Sequence, residues 1–301
     1  MINFEDRVAV VTGAGGGLGR SHALLLASLG AAVVVNDLGG DVRGDGTGSA
    51  MADAVVDEIK SSGGVAVAEY SSVTDHEAGE KLLAAALDEF GRLDVLVNNA
   101  GILRDRSFAN LEAKDVEAVL DVHLRGAFRV TRAIFAHMKE GGYGRIIMTS
   151  SASGLLGNFG QANYAAGKMG LVGLMNVLKL EGAKYDIKVN SIAPIARTRM
   201  TEDLFGEFIE SFDPEAVSPA VAYLASENCE VSGDIWSVGG GQVSRFFVAL
   251  ADGFFKHPAR DGALTVDDIE EHLEEIRLED GYVVPYSAQD EFAKLGPRLM
   301  S

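Results

Sequence analysis

Residues 7–37 read RVAVVTGAGGGLGRSHALLLASLGAAVVVND, and this stretch decides the fold. Residues 7–11 are a short β-branched run, apolar throughout, where a strand with one wet face would alternate. The glycine-rich turn TGAGGGLG at 12–19 follows directly. Residues 20–29 then read as a helix, and 32–35 as a second buried strand ending at Asn36 and Asp37. Strand, turn, helix and strand in this order make a parallel pair joined by a right-handed crossover. The turn needs glycine for tightness, for close backbone approach to a pyrophosphate, and for helix–strand packing. Free N–H groups at the helix start favour an anion. Asp37 stands where a carboxylate accepts hydrogen bonds from ribose hydroxyls and repels a 2′-phosphate, so the reading expects NAD rather than NADP. Arg20 and Arg43 are the cations that could reach a 2′-phosphate and weaken that preference.

The alternation continues outward. Helices are expected over 51–61, 76–90, within 111–139, over 161–184 and 214–226. Strands are expected over 65–70, 93–97, 144–150, 188–193 and 234–238. The first proline is Pro194, which suits uninterrupted elements before it. This predicts an α/β fold, a doubly wound (Rossmann-type) seven-stranded parallel sheet with helices on both faces and ligands at the C-terminal strand ends. The catalytic and dinucleotide-binding domain is expected over 1–243. Residues 244–301 read as a C-terminal extension packed on the core or at a subunit interface. Within it, TVDDIEEHLEEIRL (265–278) predicts a helix capped by Thr265 with Ile269, Leu273 and Ile276 as its apolar stripe. The loop 38–49, LGGDVRGDGTGS, reads as mobile.

Composition narrows the function. The chain has 301 residues, 47% of them hydrophobic, which suffices for one sizeable core. The net charge of −18 argues against nucleic acid as a partner. A single cysteine, Cys229, and six histidines offer no structural zinc site, so no metal is expected. No apolar run approaches the roughly 20 residues of a membrane helix, and the first residues lack a basic-then-apolar leader pattern. The expectation is a cytoplasmic protein without a membrane partner.

Tyr164 and Lys168 lie four apart in the expected helix 161–184 and therefore share a face. Ser151 follows the strand 144–150, at the ligand edge of the sheet. Together they form a proton-transfer set. A tyrosine serving as base near neutrality must drop about three pKa units, or roughly 4 kcal/mol. An ammonium at about 4 Å supplies up to that much, so Lys168 is expected to depress the phenol.

These motifs resemble the short-chain dehydrogenase/reductase superfamily: TGAGGGLG (12–19), NNAG (98–101), Ser151 and YAAGK (164–168). The resemblance implies Tyr164 as catalytic acid/base, Lys168 as ribose ligand and pKa depressor, and Ser151 as the donor that polarises the substrate oxygen. It implies a cofactor site at Gly13, Gly16, Gly17, Leu18, Gly19 and Asp37, with Ser72 and Val73 at the adenine. Asn99, Ala100 and Gly101 would flank the adenosine side, and Ile195 and Thr198 would hold the carboxamide. The superfamily usually carries an asparagine where this chain has His123, which would take over its place in the proton relay.

A narrower likeness lies in DLGGD (37–41), AGILRDRSF (100–108), VHLRGAF (122–128) and GNFGQANYAAGKMGL (157–171). It is to the (3R)-hydroxyacyl-CoA dehydrogenase domains of peroxisomal multifunctional enzymes of type 2, also called 17β-hydroxysteroid dehydrogenase type 4. The likeness implies oxidation of a (3R)-hydroxyacyl-CoA to a 3-ketoacyl-CoA. The alternatives are a 17β-hydroxysteroid dehydrogenase acting on a free steroid, an NADPH-linked acyl-carrier-protein reductase, and a non-catalytic dinucleotide-binding scaffold. CoA phosphates would need local cations, for which Arg104, Arg106, Arg125, Arg197 and Arg199 are the candidates. Residues 201–213 read as a lid whose Phe205, Phe208, Ile209 and Phe212 could line an acyl or sterol channel. A homodimer or homotetramer is expected through the helices of 111–139 and 161–184, whose apolar faces include Leu171, Leu174 and Leu178.

Overall fold

The computed structural model describes residues 2–197 and 212–300. They divide into two compact units, 1–245 and 246–301. In the first, all-apolar strands separated by helices form one sheet, because such strands can shed water only when both faces are covered. The strands are β1 (Val8–Thr12), β2 (Ala32–Asn36), β3 (Val65–Glu69), β4 (Val95–Asn98), β5 (Gly144–Thr149), β6 (Ile187–Pro194), β7 (Ile235–Gly239) and β8 (Gln242–Phe246). They run in the order β3-β2-β1-β4-β5-β6-β7-β8. Every pair from β3 to β7 is parallel, with registers such as Val10 opposite Val34 and Leu96 opposite Ile146. Among the described residues the sheet has eight strands, one more than the seven expected. Gly240 and Gly241, with φ of 56° and 79°, make a two-residue turn that sends β8 back beside β7. Such a turn can join only antiparallel neighbours, and it favours glycine at both positions.

The helices of this unit are α1 (Gly17–Ser28), α2 (Ala50–Ser61), α3 (Ala78–Phe90), α4 (Ala113–Leu120), α5 (Ala127–Gly141), α6 (Ala152–Leu156), α7 (Ala162–Gly182) and α8 (Ser218–Ala225). A π-helical turn, Asp121–Gly126, joins α4 to α5 and carries His123. The strand order reverses between β1 and β4, and a crevice opens there at the carboxyl ends of the strands. Leu171, Leu174 and Leu178 are buried, so they cover the core. The exposed apolar side chains of the same layer are Phe128 on α5 and Met169, Val177 and Leu180 on α7.

In the second unit Thr265 caps a helix as expected. Its Oγ1 accepts from the Asp268 N–H at 3.2 Å, and Asp268 Oδ2 accepts from the Thr265 N–H at 2.8 Å. The helix does not run unbroken to Leu278. It parts at His272 into α9 (Val266–Glu271) and α10 (Leu273–Arg277), and α11 (Ala288–Met300) follows.

Candidate active site

The site grows from the end of β1. Gly13 takes φ +63°, and a Cβ there would lie 2.8 Å from Ala100 Cα. At Gly19 a Cβ would fall 2.2 Å from the Gly13 carbonyl oxygen. Neither position accepts a side chain without moving backbone. Asn99 braces the turn: its Nδ2 donates to the Thr12 and Gly13 carbonyls at 2.9 and 3.1 Å. Thr12 Oγ1 in turn accepts from the Asn99 and Ala100 N–H groups at 3.0 and 3.1 Å. Helix α1 starts at Gly17, and its N-cap, Gly16, has no side chain to satisfy the first N–H groups. They are left for an anion.

Asp37 follows β2. Its Oδ2 accepts from the Gly15 N–H at 2.8 Å and its Oδ1 from the Gly39 N–H at 2.7 Å. Arg20 is not free to counter it, because its guanidinium is forked onto Glu58 at 2.6–3.1 Å.

At the end of β5, Ser151 caps α6, with Oγ accepting from the Ser153 N–H at 3.1 Å. That contact orients the oxygen and leaves its proton to donate. Helix α7 presents Tyr164 and Lys168 one turn apart. Lys168 Nζ donates to the Thr149 carbonyl at 2.6 Å and lies 5.4 Å from the Tyr164 ring centre. His123 meets the Tyr164 ring edge-on at 5.1 Å. Its Nε2 lies 2.8 Å from the Ile102 carbonyl and 3.0 Å from the Ile102 N–H. Whichever tautomer holds, buried Nδ1 has no partner among the described residues, and neither does the buried Thr149 Oγ1. Gly101 and Gly167 flank the imidazole, and a Cβ on Gly101 would lie 2.4 Å from its Cε1.

Burial dominates the electrostatics. It pushes the Tyr164 phenol up to about 12, against a hydrogen bond with Ser151 that pulls it down. It lowers Lys168 to about 7. It lowers His123 to about 3, with the Lys168 charge acting in the same direction. The expected depression of Tyr164 by Lys168 is therefore corrected. The ammonium pays its own desolvation and points at a carbonyl, so the protein alone holds the phenol neutral.

One cavity of about 480 Å³ brings these groups together. Gly13, Gly16, Gly17, Leu18, Asp37, Ser72, Val73, Asn99, Ala100, Gly101, His123, Ser151, Tyr164 and Lys168 all line it. Of the residues expected at the cofactor, Gly19 and Ile195 do not. Gly19 packs against the turn, and the Ile195 N–H is tied to the Val238 carbonyl at 2.8 Å, while its neighbours Pro194 and Ala196 reach the cavity. Thr198, Arg199 and most of the expected lid, including Phe205, Phe208 and Ile209, lie outside the described residues.

The arginines read as anion receivers are already engaged. Arg104 pairs with Asp115 and Asp45, Arg106 with Glu112 and Asp115, Arg125 with Glu117 and Arg197 with Asp213. Most of this pairing was invisible in the sequence because the carboxylates come from other elements, although Asp121 lies one turn before Arg125 at 3.9 Å. The π turn also escaped sequence reasoning. The wall of residues 38–44 escaped as well, although a glycine-rich insertion directly after Asp37 was its signal.

A glycine cradle with free helix N–H groups, a carboxylate at the end of β2 in the same cavity and a buried Ser–Tyr–Lys set define a dinucleotide-dependent oxidoreductase. The short chain dehydrogenase family profile matches residues 7–207, and the chain belongs to that family. Peroxisomal multifunctional enzyme type 2 of Mus musculus is 56% identical over 245 residues, which are 81% of this chain and 33% of that protein. The chain thus spans a third of that relative's length. A hydroxyacyl-CoA dehydrogenase of Mycobacterium tuberculosis is 42% identical over 262 residues, 80% of each. The structure of full-length peroxisomal multifunctional enzyme type 2 from Drosophila melanogaster superposes with a TM-score of 0.84 at 39% identity, over 99% of this chain and 50% of that one. The protein is an oxidoreductase that uses a nicotinamide dinucleotide and acts on a small molecule.

Proposed function

We propose that the chain oxidises a (3R)-hydroxyacyl-CoA to the 3-ketoacyl-CoA with NAD. The observation that carries this reading is the meeting of Ser151, Tyr164 and Lys168 in the cavity that also holds the glycine turn and Asp37. The likeness to a hydroxyacyl-CoA dehydrogenase over four-fifths of both chains supports the thioester.

Bound in the cradle, the dinucleotide supplies the hydride acceptor and, when oxidised, a positive ring. Everything else is done by the chain. Gly13, Gly16, Gly17 and Leu18 line the pyrophosphate side of the cavity. Asp37 takes the ribose hydroxyls, and its negative charge selects against a 2′-phosphate. Ser151 donates its hydroxyl proton to the substrate oxygen. Tyr164 Oη accepts the hydroxyl proton in oxidation and returns it in ketone reduction. Lys168 would hold the ribose, and the positive charge that favours the phenolate would come with the oxidised ring rather than from Lys168 alone. His123, neutral by burial, offers the unpartnered Nδ1 to a proton route.

The exposed faces of α5 and α7 support assembly into a homodimer or homotetramer, and sedimentation at micromolar concentration should show no monomer.

The test is a kinetic panel. It measures turnover of (3R)- and (3S)-hydroxyacyl-CoA and of a 17β-hydroxysteroid, each with NAD and NADP. The 3R thioester with NAD should lead. Brisk sterol turnover beside an inert thioester would overturn the substrate assignment. Asp37→Ser should shift the NAD-over-NADP ratio by about a hundredfold toward NADP, the scale of one removed charge repulsion in a partly wet site. An unmoved ratio would remove Asp37 from cofactor choice.

A further inference from the structure

The loop 38–49, read from sequence as mobile, is tied down at both ends. At its base the Gly39 N–H donates to Asp37 at 2.7 Å, and the Gly48 N–H donates to the Leu38 carbonyl at 2.8 Å. At its tip Asp41 Oδ1 accepts from the N–H groups of Arg43 and Asp45 at 2.8 and 2.9 Å, which shapes a tight local turn. The tip docks on the segment after β4. The Leu103 N–H donates to the Val42 carbonyl at 2.9 Å, and Arg104 Nε donates to the Arg43 carbonyl at 3.0 Å. The loop thereby becomes a wall of the cavity facing the glycine turn, with Leu38, Gly40 and Val42 among its lining.

Arg104 also reaches the other way. Its guanidinium pairs with Asp45 of the loop at 3.5 Å and with the buried Asp115 of α4 at 3.4 Å. The carbonyls of Arg104 and Asp115 both accept from Asn163 Nδ2, at 3.1 and 3.3 Å. Asn163 Oδ1 accepts from the Tyr164 N–H at 2.9 Å. A continuous set of bonds thus runs from the loop through Arg104 to the first turn of the helix that carries the phenol.

We propose that Arg104 is a positioning residue that latches the loop 38–49 over the bound dinucleotide and so sets the rate at which it leaves. The proposal rests on reading the cavity as a dinucleotide site. The bonds that must open for the wall to swing out are the two backbone contacts of Val42 and Arg43 and the partly exposed Asp45 pair. Of these, only the Arg104 side-chain contacts can be removed by substitution without touching residues that line the pyrophosphate turn.

The experiment combines two readouts on the whole chain. NADH release is followed by stopped-flow fluorescence on displacement with excess NAD, and trypsin cleavage of the Arg43–Gly44 bond is followed by mass spectrometry with and without NADH. Arg104→Gln should speed NADH release about tenfold, the scale of one lost charge-assisted hydrogen bond, and raise the NAD KM while leaving the thioester KM within twofold. It should also expose the Arg43–Gly44 bond, whose carbonyl the latch holds, so that cleavage quickens about tenfold. Arg104→Lys should restore part of both. Gly44→Ala should act in the same direction from the other side, because a Cβ there sits 3.1 Å from Ile102 Cγ2 at φ +83°. Unchanged release and cleavage in both Arg104→Gln and Gly44→Ala, with NADH binding intact, would overturn the latch alone. A wild-type chain that neither binds NADH nor is protected by it would overturn the dinucleotide reading and the latch with it.

Discussion

The two ends of the strands handle buried charge in opposite ways. Around the amino ends of β1, β4 and β5 two buried charged groups, Arg145 and Asp94, are fully engaged. Arg145, 2% exposed, donates to the carbonyls of Ser226, Gly144 and Asp186 and pairs with the Asp186 carboxylate. Its guanidinium stacks on one face of the Tyr143 ring at 4.3 Å, and that of Arg7 approaches the same ring at 4.2 Å. Asp94 accepts from Arg7, Arg92 and the Val8 N–H. At the carboxyl ends the buried groups are left short. Lys168 has one carbonyl, while His123 Nδ1 and Thr149 Oγ1 have no partner among the described residues. Unmet hydrogen bonds cost stability, and those of Lys168, His123 and Thr149 lie where a ligand could complete them. The contrast holds at the strand ends only, because two further buried nitrogens among the described residues, His22 Nε2 and Arg129 Nη1, also go unpartnered away from the cavity.

Substitutions at the two ends should therefore split stability from turnover. Arg145→Ala leaves three carbonyls and a carboxylate behind. It should cost about 3–5 kcal/mol of stability, with kcat per folded molecule held within about twofold. Denaturant unfolding beside active-site titration checks this, and a large kcat loss at unchanged stability would blur the two edges. Lys168→Met should do the reverse, removing at least about a hundredfold in turnover while stabilising the cofactor-free protein.

The pH sign for Lys168 follows from its lowered value. Between about 7 and the ordinary 10.5, the unfolded chain keeps a proton that the native chain has lost. Native stability therefore rises with pH across that window. Relative to wild type, Lys168→Met should be about 2–4 kcal/mol more stable near pH 7, and the gap should close by about pH 10. A gap that stays constant with pH would show that Lys168 is not carrying a desolvation cost.

His123 should show the smallest effect. His123→Leu keeps the bulk and loses the nitrogens, and should lower kcat about tenfold, the scale of one hydrogen bond. Because the imidazole is held neutral, with its pKa near 3, no limb of the wild-type pH profile between pH 5 and 8 should vanish in this variant. Loss of such a limb would make His123 a titrating group and contradict the neutral imidazole that burial imposes.

What could be read from sequence was local. The glycine turn, Asp37 and the Tyr164–Lys168 pair are set by spacing within one element or one crossover, and periodicity placed the strands from β1 to β7. The turn at Gly240 and Gly241 carried a hairpin signal in the dipeptide itself. What sequence did not carry was partnership between distant elements. Charges at Arg20 and Arg104 look available until Glu58 and Asp115 fold beside them. The π turn at 121–126 is a change of hydrogen-bond register that side-chain periodicity barely records. Burial was the other missing quantity. A formal charge count placed a full ammonium beside Tyr164, but desolvation lowers Lys168 to about 7.

The most direct test uses Tyr164→Phe, which removes one oxygen from the cavity and keeps the ring against His123. Enzyme, NAD and a (3R)-hydroxyacyl-CoA are mixed in a single turnover, and NADH formation is followed beside an independent titration of NADH binding. The account predicts NADH affinity within twofold of wild type and NADH formation slowed at least about a thousandfold. Formation at the wild-type rate would contradict it.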